Sequence, residues 1–189
     1  MNLALAVRSS PTKPAPLAST LQGVLAGLAI PTEGVASIDG APARGSRGQR
    51  RLQVGLCPQS NLLFPDLTPA ESLAYFATLS GVPVSAAFLD GALAAVGLES
   101  VASRRVGRLS GGTKRRLSTA LAFAGGASCV FLDEPTAGVD ILGTRALWRF
   151  VQQAREGRAV ILTTHMLDEA EALCTRVGIM SRGHLVREA

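Results

Sequence analysis

The stretch from Leu109 to Asp140 limits what this chain can fold into more than any other. It reads Leu109-Ser110-Gly111-Gly112-Thr113-Lys114-Arg115-Arg116, continues through a segment of helical composition, and closes on Cys129-Val130-Phe131-Leu132-Asp133-Glu134-Pro135-Thr136-Ala137-Gly138-Val139-Asp140. A serine and two glycines just before a helix leave backbone N–H groups pointing out of its N-terminus, where orphan donors and the helix dipole stabilise an anion. That is a phosphate-binding device. The second half is an apolar run, with β-branched and aromatic residues in it, that ends in two adjacent carboxylates. This is the pattern of a buried parallel strand delivering acids to its carboxyl end, where open α/β sheets bind their ligands. Asp133 suits Mg²⁺, and Glu134 suits a water.

Composition narrows the class. The 189 residues suffice for one domain with a sizeable core and a small subdomain. Only one Trp and one Tyr accompany a hydrophobic content of 47%, so the core is built from Ala, Leu and Val, as suits helices packed on a parallel sheet. The net charge of +5 is spread over several segments without interleaved aromatics for stacking bases, which argues against a nucleic-acid partner. Cys57, Cys129 and Cys174 show no metal-ligand spacing and read as small core residues of a reducing compartment. His165 and His184 make no metal pair. The longest uncharged run, Pro14 to Thr32, is broken by prolines and by Gln22, so no transmembrane span is expected.

Leu-Ser-Gly-Gly and Leu132-Asp133-Glu134-Pro135 resemble the signature and Walker B elements of an ATP-binding-cassette (ABC) ATPase, and the resemblance extends to Asp140 and to Thr163-Thr164-His165, all in that order. The wording around them looks like subfamily A, the lipid-exporter branch. The resemblance covers Ser19 to the end and includes Pro58-Gln59 as a Q-loop. It implies an α/β, P-loop NTPase-like fold: a mostly parallel sheet flanked by helices, a helical subdomain over about residues 65–115, and an incomplete N-terminal part.

Along the chain, residues 1–18 hold Arg8, Lys13 and three prolines without an acid, and read as a leader outside the family pattern. A helix is expected from Ser19 to about Leu28. In the family a Gly-rich loop ending in Gly-Lys precedes this helix; here Leu17 and Ala18 hold those positions, and the first glycine is Gly23. No counterpart of the upstream strand is evident. Gly34 to Gly40 reads as a strand closed by an Asp39-Gly40 turn, Arg44 to Arg51 as a solvated basic loop, and Leu52 to Cys57 as a strand. Thr68, Pro69 and Glu71 form the capping box of a helix whose expected buried face is Leu73, Tyr75, Phe76 and Leu79. A second helix spans about Ser85 to Val96. Leu63 and Phe64 are either core or part of a docking surface. The turn Lys114-Arg115-Arg116 reads as a solvated face, and Ile141 to Gln153 as an amphipathic helix. Asp168, Glu169 and Glu171 load the start of another helix with dipole-complementing acids, and Val177 to Val186 closes the chain as a hairpin, with His184 a surface residue.

The resemblance also implies roles. Asp133, Gln59 and Ser19 would hold Mg²⁺, Glu134 would be the general base, and His165 would contact the terminal phosphate. Ser19, Thr20, Ser110, Gly111, Gly112 and Asp140 would contact ATP, the last four across a head-to-tail pair with a second ABC ATPase domain. Transmembrane domains would be the other partners, holding the chain at the cytosolic face of a membrane. Taken alone, Gln59 is equally a surface amide in a turn. The expected function is ATP hydrolysis energising lipid transport, in a fragment whose upstream segment supplies the missing loop. The alternative is a non-catalytic module lending its signature to another subunit's ATP site. A chromosome-type ABC protein ranks last, because no sustained heptads occur.

Overall fold

The computed structural model describes residues 5–6, 17–38, 41–43, 54–181 and 184–188. The expected Asp39-Gly40 turn, the basic loop from Arg44 to Arg51, and Arg8 and Lys13 lie outside these residues.

Four parallel strands form the central sheet: β1 (Leu5–Ala6), β4 (Val54–Cys57), β5 (Cys129–Asp133) and β6 (Ala159–Thr164), in the order β1-β6-β5-β4. β5 is buried along its whole length. Its neighbours are in register, Cys57 opposite Leu132 and Asp133 opposite Thr163, so the acids and Thr163-Thr164-His165 emerge side by side at one sheet edge. Leu5–Ala6 pairs with Thr163 and Thr164; the sequence offered no counterpart for this strand. Two hairpins complete the β structure, β2 (Ser37–Ile38) with β3 (Ala41–Pro42) and β7 (Gly178–Ser181) with β8 (His184–Glu188).

Six helices accompany the strands among the described residues: α1 (Leu17–Leu25), α2 (Pro69–Leu79), α3 (Ala86–Ala95), α4 (Gly111–Ala124), α5 (Ile141–Ala154) and α6 (Leu167–Leu173). The Gln22 side chain of α1 is buried and donates to Leu132 O at 3.1 Å, a polar hold on the central strand. Thr68 caps α2 as expected: its hydroxyl accepts from Glu71 N, and Glu71 Oε2 accepts from Thr68 N at 2.8 Å. α3 begins after Ser85, whose hydroxyl accepts from Phe88 N.

The core has two lobes. One packs Cys57, Val130, Leu132, Val160 and Leu162 of the sheet against Phe123, Val151 and Leu173. The other packs Leu73, Leu93, Val96 and Val106 against Leu117 and Leu147. Helices α4 and α5 supply residues to both, which fastens α2 and α3 to the sheet. Cys57 and Cys129 are buried thiols in this interior.

One expectation needs correction. On α2 the buried positions are Pro69, Ser72, Leu73 and Ala77, whereas Tyr75 and Leu79 are 47% and 71% exposed. Residues 69, 72, 73 and 77 follow the 3–4 spacing of one helix face, and 75 and 79 fall two residues off it. Tyr75 packs instead with Phe64 and Phe76, at ring separations of 5.6 and 5.3 Å. Glu169 stands with Asp168 in the first turn of α6, as expected. It is buried and accepts from Trp148 Nε1 at 3.3 Å.

Candidate functional site

The site is built where β4, β5 and β6 end. Asp133, the last residue of β5, is buried, and its Oδ1 accepts from Thr163 Oγ1 at 2.5 Å. Glu134 follows with φ +49°, the only positive φ among the described non-glycine residues. That turn swings its carboxylate off the strand line; Glu134 N donates to Thr163 O at 2.9 Å, and Oε1 sits 3.1 Å from His165 Nδ1. The imidazole is 62% exposed and the carboxylate 29%, so the pair stands open to a ligand. Met166 N bonds Thr164 Oγ1 at 3.0 Å, fixing the turn that carries His165.

Gln59 follows β4 with an exposed side chain, and its carbonyl accepts from Arg115 Nη1 at 3.2 Å. Arg115 was expected on a solvated face. It is 2% exposed, and its guanidinium donates to the carbonyls of Pro58, Gln59, Asp133 and Glu134. The signal was present in the sequence: Arg115 precedes Ser118, Thr119 and Ala122 at helical spacing, a stripe of small residues that lets α4 approach β4. Gly55 is the closest point of that approach, since a Cβ there would lie 1.9 Å from Ala122 O.

A second group gathers at the start of α4. Ser110 caps the helix, accepting from Thr113 N at 3.2 Å. Gly111 is exposed, while a Cβ on Gly112 would meet Gly138 O at 2.9 Å. Asp140 caps α5 by accepting from Gly143 N at 2.9 Å; this bond, aided by Arg116, holds its carboxyl below the usual carboxylate range. Ser110–Gly112 and Gly138–Asp140 therefore form one exposed corner, while Asp133, Glu134 and His165 form another. Thr20 is exposed on α1, and the Ser19 side chain lies outside the described residues. Among the described residues no three His, Cys, Asp or Glu side chains converge on a metal position. The oxygen donors of Asp133 and Gln59 suit Mg²⁺, which binds through one or two carboxylates together with substrate phosphates.

A parallel sheet flanked by helices, with Asp133, Glu134 and His165 at the carboxyl ends of adjacent strands, is the fold of a P-loop NTPase-like domain. The sequence matches the ABC transporter family over residues 18–137, and the chain belongs to that family. It is 44% identical to human phospholipid-transporting ATPase ABCA7 over 171 residues, 88% of this chain and 8% of that protein. It is 41% identical to ABC transporter A family member 2 of Arabidopsis thaliana over 171 residues, 88% of this chain and 17% of the relative. The chain thus spans less than a fifth of the length of these curated relatives. Among solved structures it resembles an ATP-binding subunit of an ABC transporter, with a TM-score of 0.80 and 26% identity over 99% of this chain and 78% of that one. It also shares the fold of the dimeric ATP-binding cassette MJ0796 bound to ADP and Pi, with a TM-score of 0.84 and 22% identity over 100% and 84%.

Proposed function

We propose that this chain is the ATP-binding and ATP-hydrolysing domain of a subfamily A transporter and energises phospholipid movement across a membrane. The observation that carries the reading is the Glu134–His165 pair, aimed from adjacent strands into open space beside the buried Asp133. Glu134, exposed enough to meet solvent, takes the proton of the attacking water, while His165 orients Glu134 and faces the terminal phosphate. Asp133 with Gln59 would hold Mg²⁺, which supplies charge neutralisation for phosphoryl transfer when bound. No helix among the described residues is long and apolar enough to cross a membrane; in this reading the partners are transmembrane domains, met at the cytosolic face.

A second reading is favoured by a specific observation. α1, from Leu17 to Leu25, carries no basic side chain and no glycine before Gly23, while Ser110–Gly112 is fully formed and exposed. In that reading the chain lends its signature corner to the ATP site of a second cassette in a head-to-tail dimer. The experiment is ATP turnover by the purified chain, alone and mixed with a cassette domain that carries an intact phosphate loop. Turnover abolished by Glu134→Gln supports the first reading. Turnover seen only on mixing, indifferent to Glu134→Gln and lost with Ser110→Arg, supports the second. Silence in both conditions overturns both.

A further inference from the structure

The sheet ladder between β4 and β5 stops at Cys57 and Leu132. The residue after β4 is Pro58, which has no N–H to continue it. Beyond that point Gln59 and Glu134 leave on separate loops, and the ladder itself no longer sets their spacing.

We propose that Arg115 is the positioning residue that takes over from the ladder and holds the Gln59 and Glu134 loops in register. All four of its acceptors are main-chain oxygens: Pro58 and Gln59 after β4 on one side, and Asp133, the last residue of β5, with Glu134 on the other. A guanidinium is a planar fork with five donors in fixed directions, so bonds to both loops fix their relative position. Burial of the fork keeps water from competing for those carbonyls. Glu134 needs such a hold, because a positive φ in a non-glycine residue persists only where its surroundings over-determine it. Its N–H is taken by Thr163 O and its carbonyl by Arg115 Nε and Ala137 N. Arg115 stands about one turn into α4, whose first residues are the signature glycines, so a shift of that helix moves both loops together. This role rests on the proposed function of Glu134 and Gln59; the backbone restraint does not.

The test compares Arg115→Met and Arg115→Lys with the natural chain by amide hydrogen exchange and by turnover in the mixed assay. Lysine keeps the charge but is a compact cation that cannot fork across two loops. The Glu134 and Ala137 amides are expected to exchange about tenfold faster or more in Arg115→Met and at intermediate rates in Arg115→Lys, with the β6 amides of Val160 and Leu162 unchanged. Turnover is expected to fall about 10²-fold in kcat, as for a loop misplaced by about 1 Å, with KM for ATP within about twofold. Unchanged exchange at Glu134 and Ala137, or an equal rise across β6, overturns the proposal. So does a loss that appears in KM and spares kcat. If the natural chain and its mixture turn over no ATP, the functional reading fails while the exchange data still decide the role of Arg115.

Discussion

The φ of +49° at Glu134 makes an opposed pair of substitutions informative. Glu134→Gly and Glu134→Ala both remove the carboxylate and its 3.1 Å contact with His165, so that loss cancels between them. What remains is the backbone. A side chain bearing Cβ costs about 1–2 kcal/mol in the left-handed region, whereas glycine costs about 0.5–1 kcal/mol more conformational entropy on folding than alanine. The glycine variant is therefore expected to be more stable than the alanine variant by about 0.5–1 kcal/mol, or roughly 1–4 °C in Tm for a chain of this size. Urea denaturation followed by circular dichroism reads the difference, provided the two m-values agree. Equal midpoints, or a more stable alanine variant, would refute the claim that this turn is strained. Glu134→Gln retains the Cβ and the strain, so it separates the carboxylate's chemistry from its geometry.

Other consequences are simpler. Gly55→Ala would place a methyl 1.9 Å from Ala122 O, where backbone must move on both sides, and is expected to cost about 3 kcal/mol or more by urea titration. The Asp140 carboxyl is held below the usual range chiefly by Gly143 N–H; a depressed folded value means its contribution is present above the unfolded pKa of about 3.9 and fades as pH falls through the lower folded value. Asp140→Asn should therefore flatten the loss of stability in that acid window, read as urea midpoints at stepped pH, and an unaltered acid slope would count against the cap. Burial, reinforced by Glu169, pushes the Cys174 thiol up to about 11, so its alkylation by iodoacetamide should stay slow at pH 8 and accelerate only above about pH 10. Rapid modification at pH 8 would contradict that environment.

How much of this was legible follows from which forces act locally. The capping box at Thr68, the ends of α3 and the strand that ends in Asp133 rest on neighbours within a few residues, and the structure has them where the sequence puts them. The juxtaposition of Asp133, Glu134 and His165 was legible by resemblance, and the parallel register of β5 with β6 supplies its geometry. What escaped were side chains whose partners are remote. Charge led to Arg115 being placed in solvent, yet it is held by groups at least 18 residues away. Tyr75 was assigned by hydrophobicity to a core face, while its partner Phe64 lies outside the helix. No local pattern showed that Leu5–Ala6 would find the edge of β6.

The small residues of α4 explain why a charged side chain is tolerated at its centre. Ser118, Thr119 and Ala122 let the helix lie close enough to β4 for Cys57 Sγ to stand 3.5 Å from Ser118 Oγ. One turn earlier the sheet ladder has ended, and the carbonyls of Pro58, Gln59, Asp133 and Glu134 point at position 115. An apolar residue at position 115 would strand those acceptors, at about 1–3 kcal/mol each; a planar cation with several donors satisfies them and fills the same space. Arg116, the next residue, uses one nitrogen on Val96 O and Gly97 O at 2.9 and 2.7 Å, tying the end of α3 to the same turn. Two adjacent arginines thus serve different neighbours of one helix: one holds the carbonyls of Pro58, Gln59, Asp133 and Glu134, and the other holds the end of α3.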